Sequence, residues 1–280
     1  MPQQTLRPDP FRDTTSLDMR GDTPRPKSTH PIANATAAPA WTVRRRQTAA
    51  AEIARRSYEI LWQASNGDIM DARTTAPALP EFEAAFNAFA RGAIFTTDNG
   101  PVAIEDLLPG DRVETVTGEM QTVLWIGSME LRRNDSPDGT PEPLVRLTPD
   151  ALGFGQPSPD LLLGSGARYL LRSEALKSYL GTSHALASVT ALIDGVSTFE
   201  VTPPSRVRTY HICLERHSVV RVNGVECETF HPGLTANTRL SGGLRDAFMD
   251  LFPHLNDLGG FGAMAHPRLT PTDLIQLELV

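Results

Sequence analysis

Residues 88–113 read AFARGAIFTTDNGPVAIEDLLPGDRV, and this stretch is the strongest indication of the fold. β-Prone runs at residues 93–97 and 112–116 are separated by turn signals at Asn99-Gly100 and Pro109-Gly110. Similar short runs continue toward the C-terminus, and no repeat of fixed period is visible. The pattern therefore predicts a mainly β protein with tight turns between its strands.

Three further blocks follow the opening stretch. They read VLWIGSMEL at residues 123–131, PLVRLTPDALGFGQPSPDLLLGSGARYLL at residues 143–171, and TYHICLERHSVVRVNGVECETFHPG at residues 209–233. In the order and spacing of these blocks the chain resembles the Hint (hedgehog/intein) family of autoprocessing domains. LFPHLNDLGGFGAMAHPRLT at residues 251–270 is similar to the tail of the bacterial, alphaproteobacterial-type version. The resemblance implies a pseudo-twofold β horseshoe.

The resemblance also implies self-cleavage, and the first residue of the domain decides whether that chemistry is available. Family members carry a Cys in CF-x-x-G-T, which attacks the preceding carbonyl and replaces the amide with a thioester. This chain has Ala88 at that position, and residues 83–95 contain no Ser, Thr or Cys. A methyl group has no lone pair for the attack. We therefore interpret Ala88 as a degenerate nucleophile position.

Two histidines of the family are the next components to compare. The middle block of relatives reads approximately L-L-S-P-D-H-R, whereas LLLGSGARYLL places Ala167 at the position of the histidine and retains Arg168. His217 matches the late-block histidine and is the one residual catalytic candidate, with Glu215 as a possible orienting carboxylate on the same strand face. A histidine on a strand is more often a structural hydrogen-bonding residue. We favour that interpretation of His217.

The leading hypothesis for function is therefore a catalytically degenerate Hint-fold protein that acts as a binding or assembly module, not as an enzyme. The alternative is residual autoprocessing before residue 88, by an unusual nucleophile or by water that His217 activates. A third hypothesis places an N-terminal helix on a membrane surface, with binding that weakens in salt.

Neither a metal nor a cofactor is expected. His211, Cys213, Glu215 and His217 alternate along the sequence, so a regular strand would place all four on one side. A turn expected at residues 215–216 breaks that register, and the spacing matches no zinc pattern. The chain has no phosphate-binding Gly-rich loop and no dinucleotide fingerprint.

The chain before residue 88 differs from the rest in amino-acid composition and in the spacing of its apolar residues. Residues 1–41 are rich in Pro and Thr, which predicts a disordered arm. Residues 42–66 are interpreted as an amphipathic helix, because Ile53, Ile60 and Leu61 recur at helical spacing before a stop at Asn66-Gly67. Residues 67–87 are read as a linker with a short helix. The arm and the helix are the predicted contacts for an unknown protein partner.

Residues 88–233 are assigned to the Hint-like β domain and residues 234–280 to a C-terminal helical extension. Within the β domain, a helix is also expected in residues 183–193. The dipeptide Asn223-Gly224 predicts a hairpin, since it accepts the positive φ values of a type I′ turn.

Composition narrows the classes of partner and compartment. The net charge is -7, although residues 1–60 hold ten Lys and Arg against six Asp and Glu, so the body is acidic and no nucleic-acid partner is expected. Two cysteines cannot build a disulfide framework, and no apolar run reaches the length of a membrane-spanning segment. The N-terminus lacks the apolar region of a secretory signal. The cytoplasm is the default compartment, with signal-independent export left open.

Overall fold

The computed structural model describes residues 53–131 and 142–279. Within these ranges the chain forms fifteen strands, and every pairing between named strands is antiparallel. The strands are β1 (Arg55–Gln63), β2 (Ile69–Pro77), β3 (Phe89–Ala90), β4 (Ile94–Thr97), β5 (Gly100–Ala103), β6 (Arg112–Glu114), β7 (Met120–Leu131), β8 (Leu144–Leu147), β9 (Leu161–Leu163), β10 (Arg168–Arg172), β11 (His184–Ser188), β12 (Thr198–Val201), β13 (Val207–Leu214), β14 (Val219–Val222) and β15 (Val225–Glu228). The prediction of a mainly β protein is confirmed.

Five short α-helices and two 3₁₀ turns accompany the strands in the described ranges. The helices are α1 (Pro80–Glu83), α2 (Ala175–Leu180), α3 (Ala236–Arg239), α4 (Gly243–Met249) and α5 (Pro271–Gln276). The 3₁₀ turns are Val189–Leu192 and Leu258–Phe261. In the part of the chain that the structure describes, no helix has the length and apolar character needed to cross a membrane.

The strands form one continuous path, and β7 joins its two halves. The order is β11-β10-β15-β14-β4-β6-β7-β13-β3-β9-β8-β12, with β5 added beside β4, and with β1 beside β7 and β2 beside β1. The first residues of β7 pair with β6, and the later residues pair with β1 and β13. Because β7 is 12 residues long, it can belong to both halves. The short strand β3, which follows Ala88, lies between β13 and β9.

The core consists of two main apolar clusters. One contains Ala88 and Ala167 and lies mostly within the β domain, with Leu269 and Leu274 added from the C-terminal extension. The other surrounds Trp125 and includes the aromatic side chains of the C-terminal extension. The Trp125 indole donates a hydrogen bond to the Leu251 carbonyl at 2.8 Å, and its ring lies 4.6 Å from that of Phe252. The extension is therefore packed as part of the core.

The prediction of an amphipathic helix in residues 42–66 is wrong where the structure describes the chain. Residues 55–63 form β1, in which Tyr58 and Ile60 are buried at alternate positions. The apolar residues of this segment are compatible with both a strand alternation and a helical spacing. Pairing with β2 and β7 stabilises the strand. Asn66-Gly67 forms the hairpin turn instead of a helix stop, with Gly67 at a φ of 90°. The predicted arm and residues 42–52 lie outside the described residues.

Two smaller predictions also need correction. The expected linker after residue 67 contains β2, whose nine residues pair along the full length of β1, and only Pro80–Glu83 is helical. The helix expected in residues 183–193 is β11 followed by a 3₁₀ turn, because pairing with β10 buries Ala185, Leu186 and Ala187. The hairpin at Asn223-Gly224 is confirmed, with φ values of 50° and 86°.

Candidate functional site

The peptide bond between Asn87 and Ala88 is the position at which the family resemblance predicts cleavage, and main-chain hydrogen bonds hold both sides of it. The Ala88 N–H donates to the Tyr210 carbonyl at 3.0 Å. Gly164 donates to the Ala88 carbonyl, and Gly166 donates to the Asn87 carbonyl, each at 2.8 Å. The junction is therefore fixed between the middle of β13 and the loop before β10.

The side chain of Ala88 points into the core. It is fully buried and belongs to the apolar cluster of the β domain. At this position the resemblance to the Hint family predicts a thiol that attacks the preceding carbonyl carbon. Here the corresponding group is a methyl, which cannot form the new bond to carbon.

The position of Asn87 explains why residues 164–166, in the loop before β10, have the sequence Gly-Ser-Gly. Its side chain is fully buried, and Nδ2 donates to Glu142 Oε1 at 2.6 Å and to Ser165 Oγ at 3.1 Å. A Cβ on Gly164 would lie 1.9 Å from Asn87 Oδ1, and a Cβ on Gly166 would lie 2.7 Å from the Asn87 carbonyl oxygen. Only glycine fits at these two positions while Asn87 keeps its place.

Ala167 lies at the same junction. Its N–H donates to the Gly164 carbonyl at 3.0 Å, so Gly164 connects the backbone of Ala88 with that of Ala167. The Ala167 side chain is 1% exposed and belongs to the same apolar cluster as Ala88. The structure therefore brings Ala88 and Ala167 together, and neither side chain has an atom that can donate or accept a proton.

His217 is held by three hydrogen bonds. Nδ1 accepts the Ala265 N–H at 2.8 Å, and Nε2 lies 3.0 Å from Glu228 Oε1 and 3.2 Å from the Thr229 carbonyl oxygen. This geometry assigns the ring proton to Nε2 and occupies the lone pair on Nδ1. With both nitrogens engaged, the ring has no free lone pair with which to activate water. These contacts support a structural role for His217.

Glu228 is the centre of a buried charged cluster that motif comparison missed. The carboxylate is 2% exposed and lies 2.9 Å from Arg268 and 3.6 Å from Arg168. Burial alone would raise the pKa of Glu228, but the hydrogen bond from His217 and the charges of the arginines lower it to about 2. Arg268 also donates to the His231 carbonyl at 2.7 Å. The cluster therefore joins β15 to the C-terminal extension.

A sequence signal for this cluster does exist. Glu228 lies in the run VECETF, among apolar residues of a strand, where a carboxylate requires a cationic partner. The partner Arg268 lies 40 residues further along the sequence. Its proximity to Glu228 in space could be found only from the fold.

His211 contacts Phe89, the residue that follows Ala88. The His211 ring centroid is 5.4 Å from that of Phe89 and 5.4 Å from that of Phe230. Burial lowers the pKa of His211 to about 3, so the ring is neutral near physiological pH. Glu215, the candidate orienting carboxylate for His217, accepts a hydrogen bond from the Thr122 hydroxyl at 3.1 Å.

The alternation of possible metal ligands ends within β13. The pairing register shifts between Cys213 and Leu214, and residues 215–216 form a bend after the strand. Among residues 53–131 and 142–279, no three His, Cys, Asp or Glu side chains are grouped so as to hold a metal ion. Burial raises the pKa of Cys213 well above its usual value and that of Cys227 to about 12, so neither thiol is activated.

A cleft of about 770 Å³ lies beside the junction. Ser165 and Arg168 line it on the junction side, and Leu234 and Arg268 line it on the side of the C-terminal extension. Ser165 donates a hydrogen bond to Glu142 at 2.8 Å. Leu234 is 79% exposed, so the cleft presents an apolar surface as well as charged groups.

Comparison with solved structures gives matches of low sequence identity. A bacterial intein-like domain from Clostridium thermocellum is 18% identical, covering 51% of this chain and 99% of that chain with a TM-score of 0.38. The gp41-1 intein is 11% identical over 51% of this chain and 98% of its own, with a TM-score of 0.33. The MchDnaB-1 intein with the N145AA change is 11% identical over 51% of this chain and 100% of its own, with a TM-score of 0.34. No curated protein matches the chain significantly.

The comparison with family models concerns the segment that contains the junction. A model of the Hint domain matches residues 87–234, which is more than half of the 280 residues. The matched segment includes Ala88, Ala167 and His217. The chain therefore belongs to the Hint domain family.

Proposed function

We propose that this protein is a Hint-fold module that keeps the bond between residues 87 and 88 intact and acts by binding. The observation that supports the proposal most directly is the buried methyl of Ala88 at the position of the nucleophile. Formation of an ester or thioester needs an oxygen or sulfur atom there. The family's route to cleavage is therefore closed at its first step.

The later steps lack their components as well. When the amide bond breaks, the departing amine nitrogen needs a proton from a nearby acid. Ala167 has replaced the middle-block histidine and cannot donate one, and the hydrogen bonds of His217 occupy both of its nitrogens. Loss of both the nucleophile and the acid supports a protein that no longer cleaves itself.

The cleft beside the junction is the proposed binding surface. Its volume of about 770 Å³ lies within the range typical of ligand sites, which is roughly 300–1,000 Å³. Leu234 offers an exposed apolar contact at one side, and Arg168 and Arg268 offer charged groups. An apolar surface with a few polar groups suits a protein segment that inserts a hydrophobic side chain.

Hydroxylamine trapping tests the first part of the proposal, because hydroxylamine cleaves esters and thioesters but leaves amides intact under mild conditions. We expect the full-length protein to remain at its parent mass after incubation. A fragment that ends at Asn87 as a hydroxamate would contradict the proposal. For the second part, Leu234→Asp should abolish association with a partner, whereas Ile275→Asp, which alters a similarly exposed residue outside the cleft lining, should not.

A second candidate function is residual cleavage through Ser165, since one specific contact favours it. Ser165 Oγ donates to the Glu142 carboxylate at 2.8 Å and is next to Gly166, which binds the Asn87 carbonyl. In this reaction Oγ attacks the Asn87 carbonyl carbon and Glu142 takes the hydroxyl proton. Glu142 then returns that proton to the Ala88 nitrogen as the C–N bond breaks, which leaves an ester on Ser165 and a free amine on Ala88. Water then hydrolyses the ester. A hydroxamate fragment that disappears in Ser165→Ala would identify this route.

A further inference from the structure

A second cleft lies where β1 separates from β7. Pairing between these strands runs from Trp62 opposite Trp125 to Glu59 opposite Ser128 and stops there. Toward the start of β1 the two strands enclose a cleft of about 200 Å³. We call it the arginine cleft, and its charged lining residues are Arg55, Arg56, Glu59, Arg73, Glu130 and Arg208.

Hydrogen bonds hold three of the arginines in place. Arg56 is 11% exposed at its side chain and donates across the gap to the Glu130 carbonyl at 3.4 Å. Arg73 Nε donates to Ser57 Oγ at 2.9 Å, which leaves the Ser57 hydroxyl proton available for an acceptor in the cleft. Arg55 donates to the Thr75 carbonyl. Arg55 and Arg56 lie on β1 and Arg73 lies on β2, so both strands of the β1–β2 hairpin contribute arginines to the lining of the cleft.

The carboxylates around the arginine cleft are shared between arginines. Glu59 lies 3.9 Å from Arg73 and also pairs with Arg208. Glu130 lies 3.6 Å from Arg208 and 3.7 Å from a further arginine, Arg206. Each of these carboxylates therefore balances only part of the positive charge around it.

The balance of charge at this end of the sheet is positive. Arg56 pairs with Glu83 at 2.9 Å, and within the described residues Arg55 has no carboxylate partner. Among the described residues, five arginines face three carboxylates once Glu83 and Arg206 are included, although the whole chain has a net charge of -7. A local excess of this kind attracts anions.

We propose that the arginine cleft binds a phosphate group. Arginine presents parallel N–H donors that match the oxygens of phosphate, and charge-assisted hydrogen bonds of this type are among the strongest in proteins. Arg55, Arg73 and Arg208 would contact the phosphate oxygens, and the Ser57 hydroxyl would donate to one of them. This site is separate from the junction cleft and does not depend on whether the junction is cleaved.

The dimensions and lining of the cleft decide the size of the ligand group. A space of about 200 Å³ accommodates one phosphate group and part of its substituent. No aromatic side chain is among the described residues that line it, so it offers no platform on which a nucleic-acid base would stack. The phosphate belongs either to a soluble monoester or to the headgroup of a lipid.

The test uses the full-length protein and two probes. Inorganic phosphate is titrated by calorimetry, and vesicles of phosphatidylcholine with or without phosphatidic acid are tested by co-sedimentation. We expect Arg73→Gln to weaken the binding of phosphate about tenfold, from loss of a charge-assisted hydrogen bond. Arg146→Gln is the matched control, because it removes the same charge from an exposed ion pair with Asp160 outside the cleft.

The two probes also distinguish the sources of phosphate. Vesicle binding that requires phosphatidic acid and is reversed by inorganic phosphate supports a lipid headgroup. Phosphate binding without vesicle binding supports a soluble ester. The proposal is overturned if neither probe binds saturably, or if Arg146→Gln weakens binding as much as Arg73→Gln.

Discussion

Replacement of Glu228 by glutamine should destabilise the protein strongly. The Glu228 carboxylate is 2% exposed and is the counter-charge for Arg168 and Arg268, which are 30% and 18% exposed at their side chains. Removal of one partner from a buried ion pair leaves an uncompensated charge and costs about 3–5 kcal/mol. In a domain of this size that loss corresponds to a fall in Tm of roughly 6–20 °C.

The pKa of Glu228 leads to a similar magnitude. Its folded value of about 2 is below its usual value of 4.5. A depressed carboxylate pKa contributes stability that is fully present above pH 4.5 and is lost as the pH falls through the folded pKa. The shift corresponds to about 3 kcal/mol. The difference between the wild type and Glu228→Gln should therefore be large at pH 7 and small near pH 2.

Urea denaturation of both proteins at several pH values measures this difference directly. Glu119→Gln is the control, since Glu119 forms an ion pair with Arg216 at 2.7 Å but is 59% exposed, and exposed pairs contribute about 0–1 kcal/mol. If Glu228→Gln were no more destabilising than Glu119→Gln at pH 7, the cluster would not have the structural importance assigned to it here.

Three other predictions concern the histidines, the junction loop and the thiols. Because burial lowers the pKa values of four histidines, including His266, the unfolded state binds more protons below pH 6.5, and the free energy of unfolding should decrease as the pH falls from 6.5 to 4. Urea denaturation across this pH range checks this, and a flat profile would refute it. The largest of these shifts belong to His211, His231 and His254. Gly164→Ala should lower the free energy of unfolding by about 1–3 kcal/mol, because its Cβ would lie 1.9 Å from Asn87 Oδ1. Urea denaturation measures this change, and a neutral effect would mean that the loop relaxes freely. Cys213 and Cys227 should react with Ellman's reagent only after unfolding, because both are buried with raised pKa values, and rapid labelling of the native protein would contradict this.

Motifs in the sequence located the junction because the blocks around it are short and contiguous. The same blocks predict that Ala88 and Ala167 occupy two positions of one site, and Gly164 forms hydrogen bonds with the backbones of both residues. The same motifs could not reveal that Asn87 occupies the space beside Gly164 and Gly166. That arrangement depends on how the loop before β10 folds over the chain.

The N-terminal strands show why local periodicity can mislead. Apolar residues in 53–64 satisfy a helical spacing and a strand alternation at the same time, and pairing with β7 decides between them. The cluster around Glu228 was missed for a related reason. Its partners come from β10 and the C-terminal extension, which are distant in sequence and meet only through the sheet topology.

The most direct test of the central claim is the intact mass of the purified full-length protein after incubation with and without dithiothreitol. The thiol would release any thioester formed at the junction by exchange. If the junction is inert, as the buried methyl of Ala88 indicates, only the parent mass will appear in both samples. A fragment that begins at Ala88 would show that the bond is cleaved and would contradict the account.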